Sequence, residues 1–327
     1  MNIMNRNATS SGGAREPRAT AAPAPAPRPR AWLSLLALLP ALLGGGGAAL
    51  AASLLDRPAA PPKETGEADN RLVAGIMDNS FLVEEAYNQE PGVVQHIWNV
   101  FRTVDRLPGA DEHSWNLSFT QEWPVGSQRH QFSYTLPYSL SARGGSSRDG
   151  LGDVLLHYRF QAYYDDRALR GFAPRFSLVL PTGNAARGFG DDTLGYQWNL
   201  PISTAIGDRW FAHANAGLTY LPGAGTGPRY DLVHYNLGAS AIYAATRRFH
   251  FMLEWTGVWE QAPDANGNLE RELAAVVLPG ARYAFDFAND AQLVIGLGAP
   301  IGLTRAAPDF GVLFYLSFEH RFRRAQP

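Results

Sequence analysis

The chain has 327 residues, a formal net charge of -2 and no cysteine. The near-neutral charge supplies no basic surface for a nucleic-acid partner, and the missing cysteines exclude disulfides, thiolate metal sites and cysteine nucleophiles together. Aromatic residues make up 12%, glycine occurs 33 times and the hydrophobic fraction is 46%, yet the mean hydropathy is -0.19, too low for a bundle of membrane helices. Strands that show one face to lipid and the other to a polar lumen give that combination. A secreted β-sandwich is the other reading of the same numbers.

Residues 1–30 carry Arg6, Arg15, Arg18, Arg28 and Arg30 among Ala, Pro and Ser. An apolar run extends from Ala31 to Leu43, interrupted by Pro40, and then small residues end in Ala49-Leu50-Ala51. A positive stretch, a short apolar core and a small-x-small site are the parts of a secretory signal peptide, here residues 1–52. The core is short for a membrane-anchor helix, which is the alternative. Residues 53–76 are proline-rich, charged and without period, and read as a disordered periplasmic linker.

Residues 77–91 mix Phe81, Leu82, Val83 and Tyr87 with Asp78, Glu84, Glu85 and Gln89 without clean alternation. They read as a segment folding back to plug or cap the domain that begins at Gly92. From Gly92 to Phe322 the pattern has period two. Phe310, Val312, Phe314, Leu316 and Phe318 alternate with Gly311, Leu313, Tyr315, Ser317 and Glu319. Phe132, Tyr134, Leu136 and Tyr138 alternate with Ser133, Thr135 and Ser139, and Leu194, Tyr196, Trp198 and Leu200 with Gln197 and Asn199. Successive strand side chains point to opposite faces, so one face is apolar and the other polar. Leu273 to Phe287 alternates weakly, because its inner set includes Val276 and Leu278.

The spacing predicts an all-β fold, a transmembrane antiparallel β-barrel of about twelve strands. Short connections (126–129, 207–208, 246–248, 289–290) alternate with long ones (104–114, 141–150, 183–193, 222–230, 261–271), as periplasmic turns alternate with extracellular loops. An even count leaves both ends in the periplasm. Residues 323–327 form a tail beyond the last strand, where outer-membrane barrels usually end.

The stretch Asp78-Asn-Ser-Phe-Leu-Val-Glu-Glu-Ala-Tyr-Asn-Gln-Glu-Pro-Gly-Val-Val-Gln-His-Ile97 resembles the start of the "MetA-pathway of phenol degradation" outer-membrane transporters. So do Gly150-Leu-Gly-Asp153 and Phe176-Ser-Leu-Val-Leu-Pro-Thr-Gly183. The resemblance covers about residues 77–322. It implies an outer-membrane barrel with a role in uptake of small, often aromatic, compounds.

Catalytic and metal chemistry find no support. The eight histidines form no H-x-x-x-H pair, and no G-x-S-x-G elbow is present. A surface lipase would need Ser and His near the lipid face, where the apolar faces offer His320 alone. Glu84 and Glu85 have no base near them in sequence and read as a solvated or lumen-filling pair. No enzyme activity and no cofactor are expected.

The functional candidates are the inward polar residues Glu122, His157, Arg159, Gln161, Asn199, His213, Glu254, Arg282, Asp286, Glu319 and Arg321. They either line a permeation path or form a satisfied network that closes the barrel. Twelve strands lie between barrels filled by side chains and open porins. The candidates in the preceding segment are Asp78, Phe81, Glu84, Glu85, Tyr87 and Gln89, whose carboxylates could meet Arg159, Arg282 and Arg321. The expected partners are outer-membrane lipids, the barrel-assembly machinery and a small-molecule permeant. Two functions stay open, a channel or transporter for passive uptake and a non-conducting structural or adhesin-like barrel.

Overall fold

The computed structural model describes residues 71–287 and 290–322. The expected signal peptide, most of the linker and the C-terminal tail lie outside them. Among the described residues, helix is confined to two 3-10 turns, Leu72–Gly75 and Ala185–Arg187. Leu72–Gly75 falls within the stretch expected to be linker; its Val73 is fully buried and donates its N–H to the Asp208 carbonyl at 2.9 Å.

The remainder is one closed barrel of twelve antiparallel strands. We number them β1 Val93–Asp105, β2 Glu112–Val125, β3 Ser127–Arg143, β4 Ser146–Leu151 continued by Val154–Phe160 and Tyr163–Asp165, β5 Arg170–Phe172 continued by Arg175–Leu180, and β6 Gly195–Ile206. The second half is β7 Trp210–Ala224, β8 Tyr230–Ala244, β9 Phe249–Pro263, β10 Leu269–Asp286, β11 Gln292–Gly298 continued by Ile301–Gly302, and β12 Phe310–Arg321. Each strand pairs with its neighbours in sequence. The barrel closes where β1 meets β12, from Val93↔Arg321 to Val104↔Phe310, so no edge strand is left unpaired.

Alternation decides which way each side chain points. Leu253 is 54% exposed on the outer wall, and the next residue, Glu254, is fully buried inside. Trp198, Phe314 and Leu297 also lie on the outer wall, while His157, Asn199 and Ser317 are buried within. An apolar band around the outside of a polar interior suits hydrocarbon rather than water. At the end where β1 begins, Trp98, Phe119, Trp123 and Tyr134 pack on one another along the outer wall, as an interfacial aromatic girdle does.

The turns at that end are tight. Gly126 (φ 70°) and Gly207 (φ 61°) adopt a left-handed backbone that other residues resist. Both described chain ends sit there too, so this is the periplasmic end. At the opposite end four of the five expected long loops shrink. Arg143 pairs with Ser146 across Gly144-Gly145, and β9 pairs with β10 up to Pro263↔Leu269. The strands outrun the apolar band: β10 has 18 residues, against the roughly 9–11 that cross a membrane. Their outer portions are polar on both faces and still pair, which is why hydrophobic patterning placed loops there. The longest extracellular connection is 181–194, folded inward over Phe189.

Candidate functional site: an N-terminal segment inside the lumen

Residues 76–92 do not cap the barrel from outside. They rise from the periplasmic end into the lumen, turn near mid-barrel and descend to start β1. Apolar side chains of this segment drive the placement. Ile76, Phe81 and Tyr87 join a buried cluster with inward Ile97, Phe211, Met252, Leu278, Leu313 and Tyr315, removing their area from water.

The polar groups of the segment are then satisfied by the wall, as burial requires. Three buried residues hold it. On the ascending arm, the Arg282 guanidinium donates to the carbonyls of Asp78 (2.8 Å), Asn79 (2.9 Å) and Ile76 (3.3 Å). At the tip, the Glu254 carboxylate accepts the N–H groups of Phe81 (2.7 Å), Leu82 (2.7 Å) and Val83 (3.0 Å). On the descending arm, Arg159 donates to Asn88 Oδ1 (2.8 Å) and to the carbonyls of Glu85 (3.0 Å) and Tyr87 (2.6 Å).

Further contacts fill in between. The Asp78 carboxylate accepts the Tyr315 hydroxyl at 2.7 Å. The Phe81 ring lies 5.3 Å from that of Tyr315 and against two glycines: a Cβ on Gly296 would stand 2.4 Å from the ring, and one on Gly280 2.7 Å. Tyr87 donates its hydroxyl to the Leu169 carbonyl at 2.6 Å, and Gln89 donates its N–H to Gln131 at 2.7 Å. Gln161 accepts the Asn88 N–H, and Ser203, itself bonded to His213, accepts that of Ala86. Gln131 in turn donates to Glu122 at 2.8 Å.

Glu84 makes the main ion pairs, with Arg175 at 3.0 Å and Arg159 at 3.4 Å, and accepts Asn199 Nδ2 at 2.7 Å. Burial works against its charge, but the two guanidiniums and Asn199 outweigh it and hold the carboxyl below its usual range. Glu85 is also buried, and there desolvation prevails over Arg159, lifting its carboxyl to about 8.

The structure thus brings Glu122, Arg159, Gln161, Asn199, His213, Glu254 and Arg282 together around Asp78, Phe81, Glu84, Glu85, Tyr87 and Gln89. His157 sits one step further out, bonded to Thr135 and Ser177. Three of the lumen candidates lie nearer the periplasmic rim. Asp286 is an exposed periplasmic rim residue paired with Arg248 at 2.7 Å, because β10 has left the lumen by that point. Arg321 is also at the rim, 3.6 Å from Glu90 and 3.2 Å from Asp290. Glu319 is half-buried beside it. Sequence reasoning missed Arg175 and Gln131. Both sit on polar steps of an alternation, Arg175-Phe-Ser-Leu-Val-Leu180 and Gln131-Phe-Ser-Tyr-Thr135.

Two of the spaces in the lumen bear on the segment. A vestibule of about 540 Å³ opens above the segment at the extracellular end. A smaller cavity of about 170 Å³ runs beside the tip, lined by Asn79 to Glu84, Asn99, Asn215 and Thr256. Pro137, Leu155 and Glu260 line both.

A closed, apolar-banded antiparallel barrel with short turns at one end defines an outer-membrane β-barrel protein. Among solved structures, the fold is similar to that of the COG4313 outer membrane channel from Pseudomonas putida F1, with a TM-score of 0.56, 14% identity, and 72% of this chain and 97% of that chain covered. Agreement is looser with the translocator domain of the autotransporter NalP from Neisseria meningitidis, with a TM-score of 0.44, 10% identity, and 72% and 90% covered. No protein-family model matches the chain, and no curated protein matches it in sequence.

Proposed function

We propose that the protein is an outer-membrane channel or transporter for passive uptake of small compounds, aromatic or weakly polar ones included, and that residues 76–92 constrict its lumen. The observation that carries this reading is the segment's position. It occupies the periplasmic half of the lumen, below an open vestibule, and leaves a cavity along its tip. A barrel built only as a surface scaffold has no need of an interior cavity that reaches down to its filling. The fold shared with an outer membrane channel supports the same reading, as does the resemblance of Asp78 to Ile97 to the phenol-degradation transporters.

The dense hydrogen bonding of the segment also suits a barrel closed for stability alone, and one variant separates the two. Deletion of residues 78–90 is expected to leave a folded barrel with larger single-channel conductance and faster liposome swelling than the full chain. Unchanged conductance and swelling in a correctly folded deletion variant would refute the constriction and favour the non-conducting scaffold.

A further inference from the structure

We infer that Phe189 sets the size limit of the extracellular entrance and that Asp153 is the positioning residue that holds it there. This rests on the uptake reading and adds the shape of its substrates: compact molecules enter, and bulky ones are turned away at the vestibule. The connection 181–194 is long enough to stand clear of the barrel, yet its residues 188–191 line the vestibule. One buried carboxylate ties it down. Asp153 accepts the N–H of Gly183 at 2.8 Å through Oδ1 and that of Asp191 at 2.9 Å through Oδ2. The two amides bracket residues 184–190, so a single side chain closes the loop at both ends and removes most of its freedom.

Two glycines make room for this arrangement. A Cβ on Gly183 would collide with the Phe189 carbonyl, and one on Gly150 would stand 2.7 Å from the Phe189 ring. The ring therefore rests directly on the β4 backbone and is buried there. Within the loop, the Asn184 carbonyl accepts the Phe189 N–H at 3.0 Å, and the Arg187 guanidinium lies over the ring at 5.7 Å. The Val154 N–H, next to Asp153, is accepted by Thr182 Oγ1 at 2.8 Å. Gly150-Leu-Gly-Asp153 and Leu180-Pro-Thr-Gly183 are thus the two halves of one latch.

The latch places an aromatic ring on the way in. Phe189 lines the vestibule with Phe101, Leu140 and Leu155. Leu155 also lines the tip cavity, so a solute moving down passes this apolar rim. A solute wider than the gap has to displace the ring. That displacement breaks two hydrogen bonds to a carboxylate, the stronger kind, and the close packing on Gly150, which yields little to small shifts. Phe189 therefore discriminates by width, and Asp153 keeps that width fixed.

The chain has no cysteine, so a single introduced thiol reads entry without requiring transport. Ser139 lines the vestibule and is the cross-strand partner of Gly150, on which the ring rests. In a Ser139→Cys background, methyl and benzyl methanethiosulfonate are compared, each against its rate with free cysteine. The methyl reagent is expected to react at least about tenfold faster on that scale. Adding Phe189→Ala should speed the benzyl reagent about fivefold, as about 1 kcal/mol off its barrier gives, and leave the methyl reagent unchanged. Adding Asp153→Ala should do the same and also open the loop to trypsin after Arg187. Phe189→Ala should not, because the carboxylate still holds both amides. Asp153→Asn keeps one acceptor oxygen and should fall between in both readouts. Folding is checked by heat-dependent gel mobility. If the Asp153 variants do not fold, Phe189→Ala and Phe189→Trp decide, the latter slowing the benzyl reagent. An unchanged benzyl-to-methyl ratio in folded Phe189→Ala overturns the size limit, as does a thiol at 139 that neither reagent reaches. Trypsin resistance in folded Asp153→Ala overturns the positioning role. Size-selective entry in a chain that neither conducts nor swells liposomes would instead overturn the uptake reading and leave the entrance standing.

Discussion

Glu254 and Phe81 are 173 residues apart in sequence, and the Glu254 carboxylate accepts the Phe81 backbone N–H at 2.7 Å in the middle of the lumen. The same carboxylate takes the next two N–H groups as well. Three successive amides form a small concave donor site of the kind that binds anions, and here the wall supplies the anion.

Removing that anion leaves the three donors buried without a partner, at a cost of about 1–3 kcal/mol each. Glu254→Ala is therefore expected to release the tip while leaving the barrel intact, because the strand hydrogen bonds of β9 do not depend on the side chain. Single-channel records should show higher or strongly fluctuating conductance. Glu254→Gln keeps the shape and one acceptor oxygen and should fall between. Traces for the Ala variant identical to those of the unaltered chain would show that Glu254 does not hold the segment.

The barrel was legible in the sequence because its physical cause is local. A lipid-facing residue next to a lumen-facing one, as at Leu253 and Glu254, writes period two into the chain. The lumen segment was legible only as a departure from that period. Where it packs, the wall breaks its own rule: Leu278, Leu313 and Tyr315 point inward and are fully buried, since Phe81 and its neighbours replace water on that side. That is why Leu273 to Phe287 alternates weakly. Arg282 and Arg159 could be named from their polar steps, but their acceptors are backbone carbonyls of the segment, which side-chain patterning does not reveal. The acids that line the vestibule were missed for a different reason. Glu270 lies in the stretch 261–271, where β9 and β10 stand beyond the apolar band and a strand with no lipid-facing side looks like a loop, and Glu260 and Glu272 flank that stretch.

The lipid register can be checked at the same position. Leu253 is flanked on the neighbouring strands by Ala241 and Pro279 and is exposed on the outer wall. Leu253→Arg is expected to cost roughly 2–4 kcal/mol in a lipid-based unfolding titration if the site lies near the bilayer midplane. A cost near zero would place this side chain in water and displace the proposed apolar band.

The slot for Phe81 depends on a missing side chain. A Cβ on Gly296 would meet two ring carbons of Phe81 at 2.4 and 2.5 Å, closer than the ring can accept without moving. Gly296→Val should destabilise the segment's packing by about 1–3 kcal/mol and raise protease access to residues 76–92 from the periplasmic side. Combining it with Phe81→Ala removes the clash, so the two effects should not add. Strict additivity would show that the ring and the glycine do not touch.

Protonation of Glu85 sets the last expectation. Burial lifts this carboxyl to about 8 from an ordinary value of 4.5. A carboxyl whose folded value is raised favours the folded arrangement while it is neutral. Its full contribution is present below 4.5 and is lost as pH rises through about 8. The packing of residues 76–92 should therefore loosen across that interval, seen as rising conductance or faster proteolysis of the segment. Glu84 does not mask the effect. Its carboxyl is held below the ordinary range, so it stays charged through that interval and its ion pairs with Arg159 and Arg175 persist. Glu85→Gln keeps the size and removes the ionisation, and its profile should be flatter over the same interval. If the variant and the unaltered chain respond identically to pH, some other group controls the segment and Glu85 has no part in it.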